Sequence, residues 1–167
     1  MSDWTRTETA RKTPYGTIYY GGACRDNYRN IVRYDQGGGH TIFWLQLPAM
    51  RAWLAAQCRY ARRQGWTKAR VDNSEVKIQR KTYTEGKPII VLAGTNRTCA
   101  TQASLYRSDT SRYAPPQYTG HTRGLAVDVS QNQTAAQLRD IRAALLAEGW
   151  KQARSDEPWH YSYHVSI

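Results

Sequence analysis

The sequence predicts a small α+β domain in which two main helices pack on a largely antiparallel sheet. Three observations predict it. Two stretches of helical periodicity, over residues 48–65 and 134–149, carry their own start and stop signals. The other apolar runs are short, β-rich and bounded by turn residues. A chain of 167 residues suits one domain with a real core.

Taken in order, residues 1–20 are polar and then Tyr-rich, in TPYGTIYYGG, and residues 1–40 are expected to form an N-terminal arm or extension to a domain over 41–167. Gly37, Gly38 and Gly39 mark a loop that leads to His40, itself expected to be a loop residue. HTIFWLQL reads as a short buried strand. In the segment that follows, Met50, Trp53, Leu54, Cys58 and Ala61 share one helical face, with Pro48 to open the helix and Gly65 to close it. EVKIQRKTYT and PIIVLAG are β-rich runs separated by Glu85, Gly86 and Lys87, which is a hairpin signal. CATQASLYRS is compatible with a helix, SRYAPPQYTGHTRG is a loop, and LAVDV is a short apolar strand. Thr134 and Gln137 stand as a capping box before a helix striped by Leu138, Ile141 and Leu145, which Gly149 ends. WKQAR and WHYSYHVSI then form a closing hairpin.

The charge balance, 24 Lys+Arg against 13 Asp+Glu for a net +11, favours anionic partners. The basic residues are spread along the chain and no nucleic-acid-binding motif accompanies them, so no specific nucleic acid is expected. No run is apolar enough to span a membrane. The opening MSDWTRTETARK has no apolar core of the kind a secretory signal needs. Cys24, Cys58 and Cys99 form no CxxC pair, and three reduced thiols are expected, with Cys58 buried on its helix; a Cys24–Cys99 bridge is the open alternative, for which nothing in the spacing argues.

Chemistry concentrates in two places. GHTRGLAVDVS places His121 seven residues before Asp128, and SDEPWHYSYH places Glu157 three before His160. On one continuous strand His121 and Asp128 would face opposite sides, so they converge only if Thr122-Arg123-Gly124 bends the chain. Glu157 and His160 need a similar turn at Pro158-Trp159. With both bends, two imidazoles and a carboxylate make an acceptable ligand set for catalytic zinc, and a neighbouring carboxylate can serve a bound water as base. Trp159 is expected to pack against His160, and His164, four residues further along a strand, to lie away from the site. By spacing alone, separate surface or core contacts remain the alternative.

At these residues the sequence resembles the M15 peptidases, the family of D-alanyl-D-alanine carboxypeptidases and L-alanyl-D-glutamate endopeptidases, zinc enzymes of bacterial peptidoglycan. The family pattern, Ser-x-His-x-x-Gly-x-Ala-x-Asp followed later by Glu-Pro-Trp-His, is matched by TGHTRGLAVD and EPWH, and EPWHYSY is most like the carboxypeptidase branch. The resemblance covers roughly residues 45–165 and implies that His121, Asp128 and His160 hold Zn2+ and that Glu157 is the catalytic base. GTNRTCATQASLY resembles a further family frame and implies that Arg97 binds a substrate carboxylate or the scissile carbonyl, in preference to Arg107. Gln102 and Tyr106 would sit on the helix behind it, and Gln102 and Thr119 would contact substrate. Three positions depart from the pattern: Thr119 replaces a serine, Asn96 a tyrosine and Gln117 a glycine. All three bear on specificity more than on metal binding.

The expected function is therefore a zinc metallopeptidase, a carboxypeptidase or endopeptidase, that hydrolyses stem-peptide or crosslink amides of peptidoglycan. Loop 108–118 is expected to decide between the two. Because that substrate lies outside the membrane and no export signal is apparent, the resemblance further implies a phage lysin, or a virion component with other virion proteins as partners. The alternative is a non-hydrolysing, zinc-containing wall-recognition or structural module of a virion.

Overall fold

The computed structural model describes residues 3–26, 28, 30–35, 42–64, 71–72, 77–78 and 90–167. Its strands all pair antiparallel among the described residues, and three α-helices accompany them. An N-terminal hairpin, β1 (Thr9–Thr13) and β2 (Gly16–Tyr20), turns at Pro14-Tyr15. The segment expected as an arm thus contributes Ile18 and Tyr20 to the hydrophobic core. A second ribbon pairs β3 (Ile31–Asp35) with β4 (Ile42–Gln46), and leads straight into α1 (Leu47–Arg63).

The α1 helix begins with Pro48 in its first turn, where the missing N–H costs nothing. All five residues of its expected stripe, Met50, Trp53, Leu54, Cys58 and Ala61, are buried. Gln46 precedes it without capping it, because its amide is engaged elsewhere. The side chain accepts from the Tyr19 N–H (3.0 Å) and donates to the carbonyls of Tyr19 (2.7 Å) and Arg123 (2.8 Å). One fully buried amide thereby ties the first hairpin, the helix start and the segment around Arg123 together.

Short strands β5 (Val71–Asp72) and β6 (Lys77–Ile78) pair with each other. Most of the hairpin expected between residues 75 and 94 lies outside the described residues, as do Gly65 and His40. The main sheet has the order β7-β8-β10-β9, formed by β7 (Leu92–Gly94), β8 (Ala126–Val129), β9 (Trp150–Lys151) and β10 (His160–Tyr163). Between β7 and β8 the chain forms α2 (Cys99–Ser108), a helix shorter than the two expected as main elements. The α3 helix (Ala135–Ala147) has the full capping box: Thr134 Oγ1 accepts from the Gln137 N–H (3.1 Å) and Gln137 Oε1 from the Thr134 N–H (3.0 Å). Ile141 and Leu145 are buried, and α3 packs on α1 over a core that includes Trp53, Leu125, Val127 and Trp150.

One expectation is corrected here. Cys24 and Cys99 form a disulfide, and Cys58 alone is free and buried. The two partners lie 75 residues apart. Pairing over that distance depends on how β2 and α2 are folded together, which no local spacing reveals. Among the described residues no helix is long and apolar enough to cross a membrane.

Candidate metal centre

Asp128 lies on β8 directly opposite His160 on β10, a register pair that sets the two side chains on the same face of the sheet. His121 reaches them because the chain bends as expected. Gly120–Arg123 is a 3-10 turn, capped at its start by Thr119 Oγ1, which accepts from the His121 N–H (3.2 Å). Gly124 closes the turn in the left-handed region, at φ +67. A Cβ there would also lie 2.3 Å from Ile31 Cδ1 and 3.0 Å from the Gln46 nitrogen. Glycine is therefore required twice, by conformation and by space. Gly124→Ala is expected to lower stability by at least about 1–2 kcal/mol, the cost of the left-handed backbone alone, measurable by denaturant unfolding.

Arg123 anchors the same turn and was not singled out from the sequence. It is fully buried, donates from Nη2 to the Gly22 carbonyl (2.8 Å) and from Nη1 to that of Ala23 (3.2 Å), and lies over the Tyr28 ring at 5.0 Å. Burial pushes its pKa below the ordinary arginine value.

The imidazoles of His121 and His160 stand edge to face with ring centroids 5.1 Å apart. His121 Nε2 and His160 Nδ1 each lie 3.2 Å from Asp128 Oδ1. One donor atom from each of the three residues falls within 4.8 Å of the others. The remaining ring nitrogens are held from behind. His121 Nδ1 lies 2.7 Å from the Thr95 carbonyl oxygen, and His160 Nε2 lies 3.1 Å from that of Ile167. A backbone oxygen only accepts, so with a metal in the cluster each of those nitrogens carries the proton and the inward nitrogen presents a lone pair; without one, the inward nitrogens face Asp128 as hydrogen-bond donors when protonated. Ser162 reinforces this, since its hydroxyl donates to the same Ile167 oxygen (2.5 Å).

Three acceptors therefore converge on one point, which is favourable only with a cation or a proton among them. Two neutral imidazole nitrogens and a carboxylate oxygen suit zinc, with coordination left over for water or substrate. Burial pushes the His121 pKa down. Burial also opposes ionisation of Asp128, but the hydrogen bonds and charges of the two histidines outweigh it and hold its pKa below the usual carboxylate range. For His160, burial is outweighed by the Asp128 hydrogen bond and charge, and its pKa rises.

The cluster opens on a cavity of about 400 Å³. Glu157 lines it, brought round by a turn through Pro158-Trp159 in which the His160 N–H donates to the Glu157 carbonyl (3.1 Å). Arg97 lines it as well. Its Nη2 is 3.6 Å from Asp128 Oδ2, and its Nη1 donates to Gln102 Oε1 (3.0 Å). Gln102 is buried and passes the restraint on by donating to the Ala114 carbonyl (2.8 Å). Arg107 is exposed and does not line the cavity. Loop 108–118 contributes Arg112, Tyr113, Ala114 and Tyr118. Arg112 and Arg154 make the wall cationic, and neither was singled out from the sequence because nothing local marks them. His164 is only partly buried and meets the Tyr163 ring edge to face, and it does not line the site cavity.

No family model matches the sequence, and no curated protein matches it. Solved structures are similar at a low level. One is the LD-carboxypeptidase LdcB, described for its peptidoglycan recognition, at 16% identity and a TM-score of 0.42, covering 92% of this chain and 79% of that one. Another is the L,D-carboxypeptidase DacB from Streptococcus pneumoniae, at 16% identity and a TM-score of 0.42, covering 95% of this chain and 85% of that one. A structure of DacB from strain D39 has 18% identity, a TM-score of 0.41 and coverages of 92% and 79%.

Proposed function

We propose that this protein is a zinc-dependent peptidoglycan peptidase that hydrolyses stem-peptide or crosslink amide bonds. The observation that carries this reading is the convergence of His121, Asp128 and His160, each imidazole backed by a backbone oxygen that favours the tautomer a metal needs, on a cavity that Glu157 also lines. Zinc, when bound there, supplies a Lewis acid and makes water a competent nucleophile near neutral pH. Glu157 accepts the proton of the attacking water and delivers one to the leaving amine nitrogen. Arg97 offers a planar pair of donors beside the cluster, suited to a substrate carboxylate or to the oxyanion that develops. Gln102 and Thr119 line the same cavity, where they contact substrate in this reading while also holding Arg97 and the His121 turn in place. The cationic wall of Arg97, Arg112 and Arg154 complements a peptide rich in carboxylates. A phage lysin or virion component is the setting in which we place it, because the substrate lies outside the membrane.

The test is mass spectrometry of purified peptidoglycan treated with the zinc-loaded protein. Loss of a terminal residue from stem peptides identifies a carboxypeptidase, and halved crosslinked fragments an endopeptidase. Unchanged masses alongside stoichiometric zinc would replace this reading with that of a non-hydrolysing wall-recognition module.

A further inference from the structure

Arg97 also belongs to a second cavity, of about 540 Å³, lined by Asp26, Asn30, Trp44, Asn96 and Thr98 among others. Its chemistry differs from that of the first. Arg97 is the one cation among its described lining residues, and the remainder are neutral amides and hydroxyls, two aromatic rings, the aliphatic Ile31 and a single acid. Trp44 is 42% exposed, whereas Trp53 and Trp150 are buried in the core. An indole left in water at the wall of a cavity is a surface that a ligand with an apolar face would cover favourably.

The wall is built firmly. Asp26 Oδ1 accepts from the Cys99 N–H (2.8 Å), and the Cys24–Cys99 bridge fastens the same segment to the start of α2. Asn96 Nδ2 donates to the His121 carbonyl (2.9 Å), which also accepts from the Arg97 N–H (2.9 Å). The second cavity is thus joined through two consecutive residues to the backbone of a proposed metal ligand.

We propose that this cavity is a saccharide subsite that takes the N-acetylated amino sugar from which a stem peptide hangs. A pyranose ring has an apolar C–H face to lay on Trp44 and a rim of hydroxyl and acetamide groups for Asn30, Asn96 and Thr98. A carboxylate-rich peptide fits the first cavity's three arginines better than this largely neutral one. The assignment rests on the peptidase reading for its orientation, with the sugar beyond Arg97 and the peptide over the metal cluster.

Two measurements test it separately from hydrolysis. Binding of a soluble N-acetylglucosamine tetrasaccharide to the full chain is followed by tryptophan fluorescence and by chemical shifts of the Trp44 indole. Saturable binding is expected, weakened at least about tenfold in Trp44→Ala, as for loss of a central aromatic contact. Asn96→Ala, with zinc content as the control for folding, is expected to weaken it as well. Equal binding by wild type and Trp44→Ala, or no binding by the wild type, overturns the proposal whether or not peptidoglycan is cleaved. In cleavage assays, the ratio of kcat/KM for glycan-linked over glycan-free stem peptide is expected to exceed one and to fall in Trp44→Ala. A ratio unmoved by that substitution overturns it too. Absence of cleavage with tetrasaccharide binding intact would sink the peptidase reading alone.

Discussion

Glu157→Ala is expected to lower peptidoglycan hydrolysis by about 10²–10⁴-fold, the usual contribution of a positioned general base, and to leave zinc binding in place. The structure separates these two properties. Glu157 lines the cavity but is not one of the three residues whose donor atoms converge, and among the described residues it pairs with Arg154, 3.6 Å away. That pair, at the long end of ion-pair distance, holds the carboxylate only loosely at the cavity wall. Zymography on cell-wall substrate, run beside a zinc assay of the same preparations, checks both halves. Equal clearing by wild type and variant would end the hydrolase reading. Loss of zinc by the variant would move Glu157 from proton transfer to metal binding.

Asp128→Ala is expected to abolish stoichiometric zinc and, with it, activity. The Asp128 Oδ1 atom is the common neighbour of both imidazoles, at 3.2 Å from each, so its removal takes away a ligand and the charge that offsets the cation. The loss in affinity should exceed the roughly 10–100-fold that follows removal of a partner lying behind a metal ligand. A pH dependence accompanies it. In the metal-free protein Asp128 favours protonation of His160, whose pKa is raised, and zinc must displace that proton. Zinc affinity of the wild type should therefore rise with pH while His160 deprotonates and level off above that range. Competition titrations with a chromophoric chelator across pH measure the slope. An affinity independent of pH through that range would show that His160 is not a ligand.

The parts of this site that depend on neighbours in the chain were legible, and those that depend on distant segments were not. Gly124 announces a bend, and the structure has one there with His121 on its near side and Asp128 beyond it. Pro158 biases its predecessor and marks the turn that carries Glu157 and His160. Thr134 and Gln137 reveal the start of α3 because a capping box is a local device. By contrast, the carbonyls of Thr95 and Ile167, which choose the tautomers of the two histidines, belong to residue types with no chemical signature. Gln46 and Arg123 are buried clamps in the fold that no local pattern marks, since only the packed structure supplies their acceptors. The cysteines misled for the same reason. The expectation of three reduced thiols followed from their count and spacing, whereas their pairing follows from tertiary proximity.

That bridge makes the protein sensitive to its surroundings in a way that the metal cluster is not. A disulfide persists where glutathione and thioredoxin are absent and is undone where they act. The chain in a reducing medium would carry Cys24 and Cys99 as thiols, leaving the Asp26 hydrogen bond to the Cys99 N–H to tie segment 24–26 to the start of α2. In an oxidising medium the link closes a circuit 75 residues long and restricts the unfolded chain, which typically adds about 2–4 kcal/mol of stability. The fold therefore gains durability from the redox state of its medium, and the preparation used for any assay should be oxidised before that durability is judged.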